Sequence, residues 1–406
     1  MTAAWGMVLV ALGAAYAARL LSWAVGLRRE IARTDALVAP ADADLPSVTV
    51  VIPARDEEGT IGPCVDSVLA CDYPHGKLEV IVVDDDSADL TPDVVRARMA
   101  HAPALALAGE ELPEDARGEA EGDGRLRLVR IPENRRRARA HKKRAIEKAV
   151  VHARGDLILT TDADCTVAPG WVRALAAQFE GPEVAFVSGP VTYEVLPSDG
   201  LFVRLQALDF FGTMACAAGA IGIRRPHLAN GACVGYRRET FGALGGFSGI
   251  DHVTSGDDEL LLQKIAYTTP LDVRFCADPG ALVTTAPVRT LRAFVHQRKR
   301  WASKSLNYPA GLQRMLLVLV AFFFALTATL VAVPFVPALF PWLLGALGLK
   351  ALGELPVLVP AARRFGQTHL AWAYPLHLIV HAPHSLFVGV FGPLGGFEWK
   401  GRRLDQ

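Results

Sequence analysis

Gly155-Asp156-Leu157-Ile158-Leu159-Thr160-Thr161-Asp162-Ala163-Asp164-Cys165 runs from an apolar segment straight into two carboxylates one residue apart. The apolar part reads as a buried strand that emerges into a loop. Two carboxylates at a strand end can converge on one hard divalent cation, and Mg²⁺ or Mn²⁺ held there can bind a diphosphate. An isolated D-x-D arises often from chance and turn chemistry, so its meaning depends on what surrounds it.

Upstream, strands and helices alternate. Ser47 to Pro53 reads as a strand, Thr60 to Ala70 as a helix and Leu78 to Val83 as a second strand. Leu126 to Ile131 reads as a third strand and His141 to Ala153 as a helix that leads into the acidic stretch. This is the β-α-β pattern of a mostly parallel sheet, in which ligands gather at the carboxyl ends of the strands. Ala102 to Gly124, rich in Ala, Gly and Glu, reads as a solvated surface insertion. Two more acidic clusters follow strands: Pro53-Ala54-Arg55-Asp56-Glu57-Glu58 and Asp84-Asp85-Asp86-Ser87. Each alone fits a helix cap or a turn. Three acidic strand ends in one sheet converge on one side, which solubility does not explain.

Ser255-Gly256-Asp257-Asp258-Glu259 precedes an apolar helix and offers a general base, with Asp258 or Glu259 also suited to capping that helix. His296-Gln297-Arg298-Lys299-Arg300-Trp301 lies on an amphipathic helix beside an apolar block. Basic residues at such a place often only contact lipid headgroups, whereas Arg300 with Trp301 could also sit under a pyrophosphate and an acceptor.

Composition narrows the function classes. The 406 residues carry 42 Lys+Arg and 42 Asp+Glu, a neutral balance that argues against nucleic acid as the main partner. Apolar residues make up 51% and are concentrated in blocks. Trp5 to Leu27, broken by Arg19, is long enough to cross a hydrocarbon core of about 30 Å. Arg28 and Arg29 follow that block, which reads as an uncleaved anchor with the next segment cytoplasmic. Met315 to Ala362 would be about 70 Å long as one helix, so it reads as two spans turning near Pro334, Pro337 and Pro341. Its charges, Lys350 and Glu354, are four apart and can neutralise each other. Leu370 to Phe391 is apolar but interrupted by prolines and histidines, and is expected not to cross fully. Spacings of four and three put His377, His381 and His384 on one helical face. With no carboxylate near them in sequence, polar packing or headgroup contact is preferred there over metal binding. The six cysteines form no C-x-x-C pair, so reduced thiols are expected and zinc is not. The expected organisation is an anchor at 1–28, a cytoplasmic catalytic domain at 45–308, transmembrane or interfacial helices at 312–395 and a basic tail at 396–406.

PARDEE (53–58), VVDDDS (82–87), TTDADC (160–165), SGDDE (255–259) and QRKRW (297–301) together resemble the ordered motifs of membrane-bound inverting glycosyltransferases of family 2. The resemblance spans about Val48 to Trp301 and implies a GT-A fold, an α/β Rossmann-like mixed sheet with flanking transmembrane helices. It implies a UDP-sugar donor held near Pro53, Ala54, Arg55, Asp56, Glu57, Asp85, Lys142 and Asp162, and Mg²⁺ or Mn²⁺ on Asp162 and Asp164. Ungapped matching to E-D-x-D/E-L gives Asp257 the base position and Glu259 the later acidic one, and a one-residue slip makes Asp258 the base. Q-x-x-R-W gives Gln297, Arg300 and Trp301 on the acceptor and diphosphate side, and Asn230-Gly231-Ala232-Cys233 resembles the acceptor-side turn. Where the family carries G-K-x-x-A-L-N, this chain has His141 to Glu147, with Lys142 at the Lys position. The implied reaction is sugar transfer to a membrane lipid. The alternative is a processive polysaccharide synthase, with a catalytically silent scaffold as a minor third reading.

Overall fold

The computed structural model describes residues 1–100, 120–122, 124–131, 140–391, 397–399 and 402–404. Nearly all of the Ala102 to Gly124 insertion and residues 396, 400, 401, 405 and 406 of the basic tail lie outside the described residues. In chain order the elements are α1 (Thr2–Ala36), β1 (Val48–Ala54), α2 (Ile61–Leu69), β2 (Leu78–Asp84), α3 (Thr91–Met99), β3 (Ala120–Glu121), β4 (Leu126–Arg130), α4 (His141–His152) and β5 (Leu157–Thr160). They continue as β6 (Cys165–Val167), α5 (Trp171–Ala176), β7 (Val184–Ser188), β8 (Val191–Tyr193), α6 (Leu201–Gly222), β9 (Val234–Arg237) and α7 (Arg238–Ala243). Last come α8 (Glu259–Thr268), β10 (Asp272–Phe275), β11 (Val283–Thr285), α9 (Leu291–Ala302), α10 (Ala310–Ala332), α11 (Phe340–Arg364), α12 (Tyr374–Phe391), β12 (Phe397–Trp399) and β13 (Arg402–Leu404).

The chain divides into two compact units. One comprises Glu30–Glu194 and Pro226–Ala286 and holds an eight-stranded sheet in the order β10-β7-β9-β5-β1-β2-β4-β3. β1 pairs in parallel with β2 and β5, and β2 with β4, so these strands end on the same side. β9 enters antiparallel between β5 and β7 and makes the sheet mixed. Every residue of β2 is buried, as the continuous run Leu-Glu-Val-Ile-Val-Val-Asp requires of a strand covered on both faces. Its one internal acid, Glu79, is neutralised by Arg127 at 2.9 Å and accepts from Thr49 Oγ1 at 2.8 Å.

The other unit comprises Met1–Arg29, Val195–Arg225 and Pro287–Gln406. Among the described residues, four helices of the chain are long and apolar enough to cross a membrane: Thr2–Ala36, Leu201–Gly222, Ala310–Ala332 and Pro337–Arg364. The stretch read as a continuous soluble domain therefore also holds α6, whose 22 residues carry only Arg204 and Asp209 as charges. α1 and α6 meet backbone to backbone: a Cβ at Gly219 would lie 2.3 Å from the Trp23 carbonyl oxygen, so only glycine fits. The expected Lys350–Glu354 pair on α11 is formed, at 2.7 Å.

Candidate active site

Short loops at the carboxyl ends of β1, β2 and β5 carry the acidic clusters because a parallel sheet delivers them to one edge. Asp56 and Asp86 take left-handed backbone conformations, φ 49° and 60°. Asp tolerates this region better than most residues, and the kink turns each chain sharply out of its strand. The first two loops brace each other: Asp56 Oδ1 accepts from the Ala88 amide at 2.8 Å, and the Asp56 amide donates to Ser87 Oγ at 3.0 Å. Glu57 accepts from Thr60 Oγ1 within its own loop, at 2.6 Å. Pro53 and Ala54 close β1 beneath these bonds.

Asp85 is ringed by basic side chains. Arg55 Nη1 lies 3.9 Å from its carboxylate and donates to its carbonyl, while His141 Nδ1 and Arg144 Nη2 stand 3.4 and 3.5 Å away. His141 and Arg144 are three apart at the start of α4, which puts both on the face that meets Asp85. Neither stands out as a site residue in the sequence motifs, although their spacing is visible in His141-Lys142-Lys143-Arg144.

Lys142, on the same turn, reaches the other acidic loops. Its Nζ lies 2.7 Å from Asp162 Oδ1 and 3.0 Å from Asp257 Oδ2, joining the β5 loop to the loop before α8. Burial opposes the charge on Lys142, but the carboxylates of Asp162, Asp257 and Asp258 outweigh it and hold its pKa above the usual lysine range. Burial raises the pKa of Asp257, and the neighbouring Asp258 and Asp162 add to the rise while Lys142 restrains it. Gly231 closes this cluster from the opposite side. A Cβ there would stand 2.7 Å from Lys142 Nζ and 3.0 Å from Asp257 Oδ2, and Thr160 Oγ1 donates to its carbonyl at 2.8 Å.

Asp258 has a different surrounding. Its Oδ1 accepts from the Glu259 amide at 2.7 Å, capping α8, and its Oδ2 accepts from the Gly231 amide at 2.8 Å. Both oxygens thus organise backbone. Glu259, wholly buried, starts α8.

Asp162 and Asp164 offer carboxylate oxygens within 4.8 Å of each other and of Cys165 Sγ. Asp164 is exposed and Asp162 partly so. Burial pushes the Cys165 thiol well up, so it stays protonated and is a poor ligand. Two accessible carboxylates with a silent thiol make a hard-oxygen donor set that fits Mg²⁺ or Mn²⁺.

Gln297, Arg300 and Trp301 lie on α9, in the helical unit. Trp301 packs on Phe210 with ring centroids 5.3 Å apart and lies under the Arg298 guanidinium at 4.4 Å.

Residues 49–239 match the family model described as Glycosyl transferase family 2, and residues 157–385 match that described as Glycosyl transferase family group 2. An N-acetylglucosaminyltransferase of Rhizobium meliloti (strain 1021) is 27% identical over 273 residues, which cover 64% of this chain and 55% of the relative. A beta-monoglucosyldiacylglycerol synthase of Synechocystis sp. is 26% identical over 264 residues, covering 63% of this chain and 47% of the relative. The chain spans about half the length of the curated relatives it matches. Among solved structures, a mannosyltransferase from Pyrobaculum calidifontis in complex with GDP-Man and Mn²⁺ aligns with a TM-score of 0.53 and 22% identity over 96% of both chains. That is a likeness of fold, and the GT-A arrangement expected from the motifs is the one observed.

Proposed function

The chain belongs to glycosyl transferase family 2, and from that premise we propose that it transfers a sugar from a UDP-sugar to a membrane lipid, with inversion at the anomeric carbon. The observation that carries this reading is the line Asp162–Lys142–Asp257, with 2.7 and 3.0 Å contacts, beside the exposed Asp164. A metal-suited carboxylate pair and a buried, pKa-raised carboxylate lie within one lysine's reach, as a displacement at a sugar diphosphate needs.

Asp257 takes the proton of the acceptor hydroxyl. The oxygen attacks the anomeric carbon from the face opposite the diphosphate, the bond to the diphosphate breaks, and its electron pair leaves with the nucleotide. Asp162 and Asp164 would hold a Mg²⁺ or Mn²⁺ ion, which when bound would offset the charge that develops on the leaving diphosphate. Lys142 favours the anionic form of Asp257 against the rise that burial causes, and Asp258 holds the Gly231 turn and the start of α8. Asp85, set among Arg55, His141 and Arg144, with the Pro53 to Glu57 loop, receives the nucleoside. Gln297, Arg300 and Trp301 serve the acceptor and diphosphate side.

Four span-length apolar helices and the likeness to a glucosyldiacylglycerol synthase support a lipid acceptor and an integral membrane protein. Arg28 and Arg29 after the apolar part of α1 support a cytoplasmic sheet unit. The Q-x-x-R-W match on α9 favours a second reading, a processive polysaccharide synthase. The test is UDP release by the detergent-purified chain with a panel of UDP-sugars and Mg²⁺ or Mn²⁺, with and without a lipid extract. Metal-dependent release that requires lipid supports the proposal. Release without lipid, with a high-mass product, moves the assignment to the synthase, and no release with any donor removes it.

A further inference from the structure

The helical unit contains a constellation that sugar transfer does not use. The histidine face of α12 has no carboxylate near it in sequence, and the fold supplies one from α6. Asp209 Oδ1 lies 3.8 Å from His377 Nε2 and 3.5 Å from His381 Nε2. The three donor atoms all lie within 4.8 Å of one another. His377 is 6% exposed, its Nε2 faces Asp209, and its Nδ1 has no hydrogen-bond partner.

From this geometry we propose that Asp209, His377 and His381 form a second divalent-metal site, for a borderline cation of the zinc class, which ties α6 to α12. Four donors about 2.0–2.1 Å from a tetrahedral ion stand roughly 3.3 Å apart. The gaps of 3.5 and 3.8 Å are therefore within a small side-chain adjustment of ligand spacing. Two imidazoles and one carboxylate also match the donor preference of zinc and cobalt over magnesium. These donors are His and Asp, so the absence of paired cysteines does not bear on the site.

The surroundings are those of a supported ligand set. Asp209 Oδ2 is taken by Arg298 Nη2 at 3.0 Å, which leaves Oδ1 toward the histidines. His381 Nδ1 faces Glu354 Oε1 at 3.6 Å, the relation in which a carboxylate orients a metal-bound imidazole. Glu354 is itself fixed by Lys350 at 2.7 Å, Tyr16 Oη at 2.7 Å and Tyr374 Oη at 3.0 Å. Ionisable groups on apolar, span-length helices such as α6 and α11 are kept where they serve a purpose, and Asp209 and Glu354 converge there on the histidines of α12.

The test uses the full chain in detergent, purified without a histidine tag, stripped with EDTA and titrated with Co²⁺ in excess Mg²⁺, which occupies hard-oxygen sites. The expected result is one Co²⁺ per chain with the strong visible absorption of tetrahedral coordination, displaced by Zn²⁺. The absorption is expected to be lost in His377→Ala and in His381→Ala and retained in Asp164→Asn. Glu354→Gln is expected to weaken binding by about 10- to 100-fold. Gel filtration of each variant separates lost ligation from lost folding, and the wild-type titration stands even if a histidine variant does not fold. No Co²⁺ uptake by the wild type, uptake that survives both histidine variants, or loss in Asp164→Asn would each overturn the proposal.

Discussion

In the sheet unit, Lys142 lies between Asp162 and Asp257 at 2.7 and 3.0 Å. In the helical unit, Lys350 lies 2.7 Å from Glu354, which also accepts from Tyr16 and Tyr374. Both arrangements offset a buried charge with an opposite one, but their access differs. The Lys142 side chain is 24% exposed and that of Asp162 36%, whereas Lys350 and Glu354 are 0% and 6%. A ligand can enter the first set and exchange partners with it. The second is sealed, and its charges are held by one another and by the buried side chains around them. Charge pairing alone therefore does not mark an active site: reach to solvent and a carboxylate left over for a ligand do.

If the open set does chemistry, its largest response comes from the base. Asp257→Asn is expected to lower transfer by about 10³-fold with the thermal midpoint near wild type, since a general base contributes roughly 10²- to 10⁴-fold. Asp258→Asn keeps a good N-cap and is expected to retain activity within a few-fold. Parallel UDP-release assays on the two variants decide between neighbouring residues. The reverse pattern would move the base to Asp258 and give Asp257 a purely electrostatic part.

The sealed set is expected to respond in stability instead. Lys350→Met leaves Glu354 buried without its cation and is expected to cost about 3 kcal/mol, the lower end for breaking a buried pair. Lys350→Met/Glu354→Leu removes both charges and is expected to recover most of that loss. Thermal unfolding in detergent measures both. A double variant no more stable than the single one would mean that Tyr16, Tyr374 and His381 depend on the Glu354 carboxylate more than the lysine does.

The sequence was most legible where one segment carries its whole signal. β1, β2, β4 and β5 stand within a residue or two of the expected segments, β1, β2 and β5 because buried strands read as largely apolar runs and β4 because Leu126, Leu128 and Val129 mark its apolar positions. β9 was not legible: Val234–Arg237 is four residues long, and nothing local states that it enters antiparallel between β5 and β7. α6 was missed because its flanks, among them Asp199, Arg224 and Arg225, are polar and because soluble-looking motifs lie on both sides. The same distance in sequence hid Asp209 from His377 and His381. In the sheet unit, each acidic loop was visible as a motif. That one lysine would join two of them, and that His141 and Arg144 would flank Asp85, depends on how α4 lies against the strand ends.

The finest test of the open set is its pH response. With Asp257 as the proposed base, transfer requires it deprotonated, and burial already raises its pKa above the ordinary carboxylate value. Lys142 acts the other way, favouring the anion. Lys142→Met removes that restraint, so the Asp257 pKa rises further and the acidic limb of the kcat/KM profile moves to higher pH. At pH well above the limb the variant keeps whatever rate its nucleotide binding allows, so limb position and plateau separate the two parts Lys142 plays. A plateau that falls while the limb stays in place would show that Lys142 serves the donor alone and that the titrating base lies beyond its reach.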